Sequence, residues 1–250
     1  MELVIGLLIG MAIGATGVGG GTLTAPALIF LLGFSPHVAV ATALIFSAAV
    51  KVWASGVYLL RGQVNFRVLG RMLAGGLPGA VLGALALTHL KSAKSDNWIL
   101  VGVGAIVAIS ALANLLKFDK PRPQTGAAKT YVLPFLALPI GLESGFSSAG
   151  SGALGTLVLF NFTSLTPAAV VGTDLVFGML VSMLAGGVNA GAGNCNWNAL
   201  ALLIPAGIVG SLIGARACVG LSIKTMRQAV LISTACVGLL LVSRGLARIF

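Results

Sequence analysis

The sequence predicts an all-α polytopic membrane protein built from two homologous halves, and three observations predict it. Of 250 residues, 58% are hydrophobic and only 8% are charged, against about a quarter charged in soluble domains. The apolar residues come in blocks, several long enough to cross a hydrocarbon core about 30 Å thick. Finally, the first half can be laid on the second in a constant register: Gly10 falls on Gly141, a shift of 131 residues.

The blocks are 3–32 (interrupted at 17–21), 37–60, 66–88, 97–116, 131–162 (interrupted at 145–152), 167–189, 198–218 and 226–246. In the first, Gly19, Gly20 and Gly21 are consecutive, and each disfavours a helix by about 1 kcal/mol relative to alanine. In the fifth, Gly150-Ser151-Gly152 occupies the equivalent place. The first helix of each half is therefore expected to be broken or re-entrant. Pro36 and Pro167 open the next blocks, and Asn65 and Asn196 precede helices beginning at 66 and 197, where an asparagine caps bare N–H groups. Small residues at Gly10/Gly14, Gly75/Gly79/Gly83 and Gly210/Gly214 have the spacing that lets membrane helices approach closely. The one long polar stretch, KFDKPRPQTGAAKT from Lys117 to Thr130, divides a first repeat (1–116) from a second (131–250), with 117–130 as linker.

The register holds across most of each half. Gly14, Gly19 and Gly21 fall on Gly145, Gly150 and Gly152; Pro36, Val40, Thr42 and Phe46 fall on Pro167, Val171, Thr173 and Phe177. Gly62, Asn65, Gly76, Gly79 and Gly83 fall on Gly193, Asn196, Gly207, Gly210 and Gly214. This is an internal duplication.

A net charge of +10 would suggest nucleic acid in a soluble protein. Here the cations lie between apolar blocks, so the positive-inside rule reads them better, and no nucleic-acid partner is expected. If each interrupted block dips in and returns, the halves are inverted. One face then holds ten cations (Arg61, Arg67, Arg71, Lys117, Lys120, Arg122, Lys129, Arg216, Lys224, Arg227) and the other four (Lys91, Lys94, Arg244, Arg248). If the interrupted blocks span, the division is nine against five. The inverted arrangement is favoured, with both termini outside the cytoplasm. The start, Met1-Glu2-Leu3-Val4, lacks a basic region, so no cleaved signal peptide is expected.

Non-helical backbone at membrane depth survives only where it is buried in protein or lines a cavity. Two facing interruptions are expected to bare N–H groups from Gly19 to Leu23 and from Gly150 to Leu154, at the starts of second half-helices. Such termini attract small oxyanions. The candidate substrate site is thus Gly19, Gly20, Gly21 and Thr22 with Ser147, Ser148, Gly150, Ser151 and Gly152. Three charges sit inside apolar blocks: Lys51, Glu143 and Asp174. Intramembrane ionisable residues are costly and mark function; Lys51 joins the substrate group, and Glu143 and Asp174 are candidates for proton coupling. The alternative is a lysine–carboxylate pair that only holds helices together. Thr42 and Thr173, equivalent in the duplication, join the candidate substrate group as hydroxyls facing the interruptions; the alternative is that each bonds to its own helix. His37 and His89 lie at block ends and are expected at the interface.

Cys195, Cys218 and Cys236 form no CxxC, and Cys195, in GAGNCNWN, is expected to be the accessible one. No HExxH or other ligand cluster points to a metal or cofactor. Ser151 as a nucleophile would need a general base, and neither histidine is deep enough to serve. No enzyme is expected.

The openings GATGVGGGTLTAPAL and GFSSAGSGALGTLVL, each followed by a proline-started helix with an early threonine, resemble the sulfite exporter TauE/SafE family. The first carries G-x-G-G-G-x-L-x-x-P from Gly17 to Pro26; the second has Ser148 and Ser151 for glycine and Leu157 for proline. The resemblance implies a permease of a bacterial plasma (inner) membrane for sulfite, sulfonates or organosulfur acids. Its partners would be a small anionic substrate and the lipid bilayer, with homo-oligomerisation open. Another anion, or a non-transporting scaffold, remains the alternative.

Overall fold

Proline, asparagine and glycine set where the helices of the computed structural model begin and end. It describes residues 2–16, 21–89, 130–148 and 150–217, with 98, 101–105, 108, 109, 112, 232, 235, 236, 238–243 and 245–247. Every regular element among them is helical: α1 (Glu2–Thr16), α2 (Thr24–Leu32), α3 (Pro36–Leu60), α4 (Phe66–His89), a 3-10 turn (Thr130–Val132), α5 (Leu133–Ser147), α6 (Gly150–Phe162), α7 (Pro167–Gly191) and α8 (Trp197–Ala217). Pro36 and Pro167 sit in the first turns of α3 and α7, where a missing N–H costs nothing. The Asn65 and Asn196 side chains accept from Val68 N at 3.0 Å and Ala199 N at 3.1 Å, so both cap as expected.

Among the described residues, four helices are long and apolar enough to cross a membrane: α3, α4, α7 and, within α8, Trp197–Gly214. The block 3–32 holds two separate helices, α1 and α2, and 131–162 holds α5 and α6. At 1.5 Å per residue, none of these four reaches the full hydrocarbon thickness.

Small residues decide the packing. Gly6, Gly10 and Gly14 of α1 lie against Leu203, Gly207 and Ser211 of α8, so the two helices run parallel. Gly141 and Gly145 of α5 lie against Gly76 and Ala80 of α4, also parallel. In both pairs a Cβ added to the glycine would overlap the partner's backbone, the close approach that small residues permit. The two pairs are equivalent under the 131-residue shift. Phe46 of α3 covers Gly207, and its equivalent Phe177 of α7 covers Gly76; both rings are fully buried.

Helices α3 and α7 cross at the centre, antiparallel. Tyr58 packs on Gly172 near one end and Ile45 on Gly186 toward the other. The two ends are pinned alike. The backbone N–H of Asn65 donates to Thr173 Oγ1 at 3.0 Å, and that of Asn196 donates to Thr42 Oγ1 at 3.1 Å. In the final blocks of the two halves, Gly104 meets Gly238 and Leu241.

Candidate functional site

Gly21 and Ser148, at the edges of the two glycine-rich segments, are brought into contact. Helix α5 ends at Ser148, a non-glycine residue in the left-handed region at φ 67°, whose N–H bonds to Ser144 O at 2.9 Å. Opposite it, Gly21 begins the turn leading into α2, and a Cβ there would overlap the Ser148 carbonyl. Only glycine permits this approach. Thr22, Ser144 and Ser148 are buried here, and their hydroxyls have no hydrogen-bond partner. Ser147, by contrast, donates to Glu143 O at 3.0 Å. Gly152 is buried in the first turn of α6, where Gly150 and Ser151 also lie. Gly19 and Gly20 lie outside the described residues.

One expectation changes. The second half-helix of the first interruption starts at Thr24, three residues after the last glycine. Ala25 N bonds to Gly21 O at 3.4 Å and Ala27 N to Leu23 O at 3.0 Å, while Pro26 has no N–H. The first turn of α2 thus bares fewer donors than the glycine run suggested, and its contribution shifts to the Thr22 hydroxyl. At α6 the first N–H groups retain the usual lack of intrahelical acceptors.

The three intramembrane charges are all buried. Asp174 of α7 accepts from Thr156 Oγ1 of α6 at 2.8 Å, and the same hydroxyl reaches Gly152 O. Gly155 makes room for the carboxylate: a Cβ there would overlap Asp174 Oδ1. Asp174 also acts electrostatically on Lys51 of α3, so a cation of the first half and an anion of the second are brought together. Glu143, on α5, precedes Ser144. Thr42 and Thr173 neither bond to their own helices nor stand idle: each accepts from the other half's asparagine. Sequence reasoning missed Ser144 and Thr156. Ser144 stands beside a charge in an apolar block, and Thr156 is one helical turn after Gly152; both are polar signals that could have been found.

The cysteine expectation holds in part: Cys195 is partly exposed, with burial raising its thiol pKa to about 11. Cys236, in the last apolar block, is exposed as well, and Cys218 lies outside the described residues. Among the described residues no three His, Cys, Asp or Glu side chains gather to hold a metal.

The sequence model described as "Sulfite exporter TauE/SafE" matches residues 3–241. The chain belongs to this family. Three Bacillus subtilis (strain 168) proteins named as probable membrane transporters are similar to it. YjnA is 30% identical over 223 residues, covering 85% of this chain and 87% of YjnA. YunE is 23% identical, covering 98% and 97%, and YtnM 29%, covering 84% and 71%. No solved structure matches. This TauE/SafE chain is accordingly an integral membrane transporter and not an enzyme.

Proposed function

We propose that this transporter is a secondary carrier of a small sulfur-containing anion (sulfite, a sulfonate or an organosulfur acid), bound between the two interruptions. The carrying observation is the contact of Gly21 with Ser148, surrounded by the buried, unpartnered hydroxyls of Thr22, Ser144 and Ser148. A buried hydroxyl without a partner costs about 1–3 kcal/mol; an oxyanion's acceptors would recover that. The N-terminus of α6, with Gly150, Ser151 and Gly152, adds donors and partial positive charge. Ser147 closes the α5 side of this site. Thr42 and Thr173 hold the frame rather than the ligand.

On this reading, repeats 1–116 and 131–250 are inverted in a bacterial inner membrane, each opening with a re-entrant pair (α1–α2 and α5–α6). Support comes from helix direction. Helices α3 and α7 are antiparallel; α1 runs with α8, and α8, reversing from α7 after a short turn, runs with α3. With α1 and α3 pointing the same way, α2 must double back. Arg61, Arg67, Arg71 and Arg216 then share one face, the cytoplasmic one. Asp174 and Glu143 carry the coupled proton.

The test is thermal stabilisation of the purified protein by sulfite, thiosulfate, sulfate, sulfoacetate, taurine and phosphate. Selective stabilisation by the sulfur oxyanions, weakened about tenfold in Ser148→Gly, which removes one donor to a charged ligand, is the expected result. A response to none, or one indifferent to Ser148→Gly, overturns the site. Uptake into vesicles that ignores a pH gradient would count against proton coupling.

A further inference from the structure

Most described serine hydroxyls in helix interiors bond back to their own helix: Ser55 to Val52 O at 3.2 Å, Ser147 to Glu143 O at 3.0 Å, Ser211 to Ile208 O at 2.8 Å. This is the ordinary way a serine is satisfied in an apolar surrounding. Ser47 and Ser182 do not do it. They are 0% and 1% exposed, and neither hydroxyl has a hydrogen-bond partner.

Both lie on the crossing of α3 and α7. On α3, Ser47, Lys51 and Ser55 follow at four-residue steps and so share one face; on α7, Asp174, Gly178 and Ser182 do the same. The antiparallel register is marked by Tyr58 on Gly172, Ser55 Oγ with Met179 Sδ at 3.5 Å, and Ile45 on Gly186. Each step up α3 is thus a step down α7, and the three markers put the level of Ser182 between residues 48 and 52 of α3, within a turn of Lys51. Under the duplication Ser182 is also the equivalent of Lys51, so a serine of one half and the lysine of the other share this level of the crossing. The third member of the α7 row at this level, Gly178, contributes no side chain.

We infer that Ser47, Lys51 and Ser182 form a second oxyanion station, on the α3–α7 seam and apart from the interruptions. Two hydroxyl donors and one ammonium suit a small anion with several acceptor oxygens, such as sulfite or sulfate. Asp174, which acts electrostatically on Lys51 and accepts from Thr156, serves as the counter-ion when the station is empty. The inference rests on the chain being an anion carrier, but not on the interruptions being its binding site.

The experiment measures half-saturation for radiolabelled sulfite, by uptake into phosphatidylethanolamine/phosphatidylglycerol vesicles and by binding in detergent. The variants are Ser47→Ala, Ser182→Ala, their double, Ser148→Gly, and Ser55→Ala as a control whose hydroxyl is already satisfied. Each seam variant should raise half-saturation about tenfold, as expected for one hydrogen bond to a charged group, and the double should multiply them. Thermal stability should hold or rise, since an unpartnered hydroxyl leaves the interior; a merely structural serine would lower it instead. A double variant with wild-type half-saturation overturns the station. If Ser148→Gly alone weakens binding, the interruptions stand as the site and the seam falls; if only the seam variants do, the reverse holds. Wild-type protein that neither binds nor moves sulfite, sulfate or thiosulfate overturns both.

Discussion

Replacing Thr42 and Thr173 by valine keeps side-chain shape and removes one acceptor at each end of the α3–α7 pair. The Asn196 and Asn65 N–H groups, now bonded at 3.1 and 3.0 Å, would lose their partners. A fully buried orphan donor costs about 1–3 kcal/mol; both asparagines are half-buried, which sets each loss near 1 kcal/mol at the lower end. The antiparallel register puts the level of Thr42 near residue 189 of α7, roughly 24 Å along the helix from Thr173 at 1.5 Å per residue. Sites that far apart should add, giving about 2 kcal/mol for the double variant. For a chain of this size that corresponds to about 2–4 °C in Tm per single change. The assay is thermal unfolding in detergent, with sulfite half-saturation measured alongside. Equal, additive falls in Tm with unchanged half-saturation are expected. Unchanged Tm with weakened sulfite binding would return these hydroxyls to the substrate site and refute the reciprocal frame.

Four further outcomes follow from the packing and the chemistry. Gly141→Ala should lower stability by about 1–3 kcal/mol through overpacking against the Gly76 backbone. Gly187→Ala, exposed and with open space around it, should gain up to about 1 kcal/mol from helix propensity; paired melting curves check both. Thr156→Val should lose about 1.5–3 kcal/mol of support for the Asp174 carboxylate and depress uptake, with Thr156→Ser restoring most of it; the ratio of the two variants' uptake rates is the readout. Cys195, its thiol raised to about 11, should be about one part in a thousand thiolate at pH 8, so maleimide labelling should accelerate about tenfold per pH unit up to that value. Because the folded-state value is raised above the ordinary thiol value of 9.0, any stability linked to this thiol is present below pH 9 and lost as the pH rises through 11.

What the sequence determined alone is everything encoded by local pattern. Apolar runs, Pro36 and Pro167 at helix starts, the Asn65 and Asn196 caps and the consecutive glycines each act through their own backbone or nearest turn, so they are readable without a partner. The constant 131-residue register made the duplication legible for the same reason, and the Gly17–Pro26 motif carried the family. What only the tertiary structure decided is pairing across the halves. No local rule says that Thr42 serves Asn196, that Gly21 rests on Ser148, or that Asp174 acts electrostatically on Lys51 while Thr156 holds it. Nor could a sequence separate Ser47 and Ser182 from Ser55, since all three are serines in apolar helices. The difference lies in whether the hydroxyl turns back to its own carbonyl or is left on a buried crossing, and packing between distant helices sets that choice.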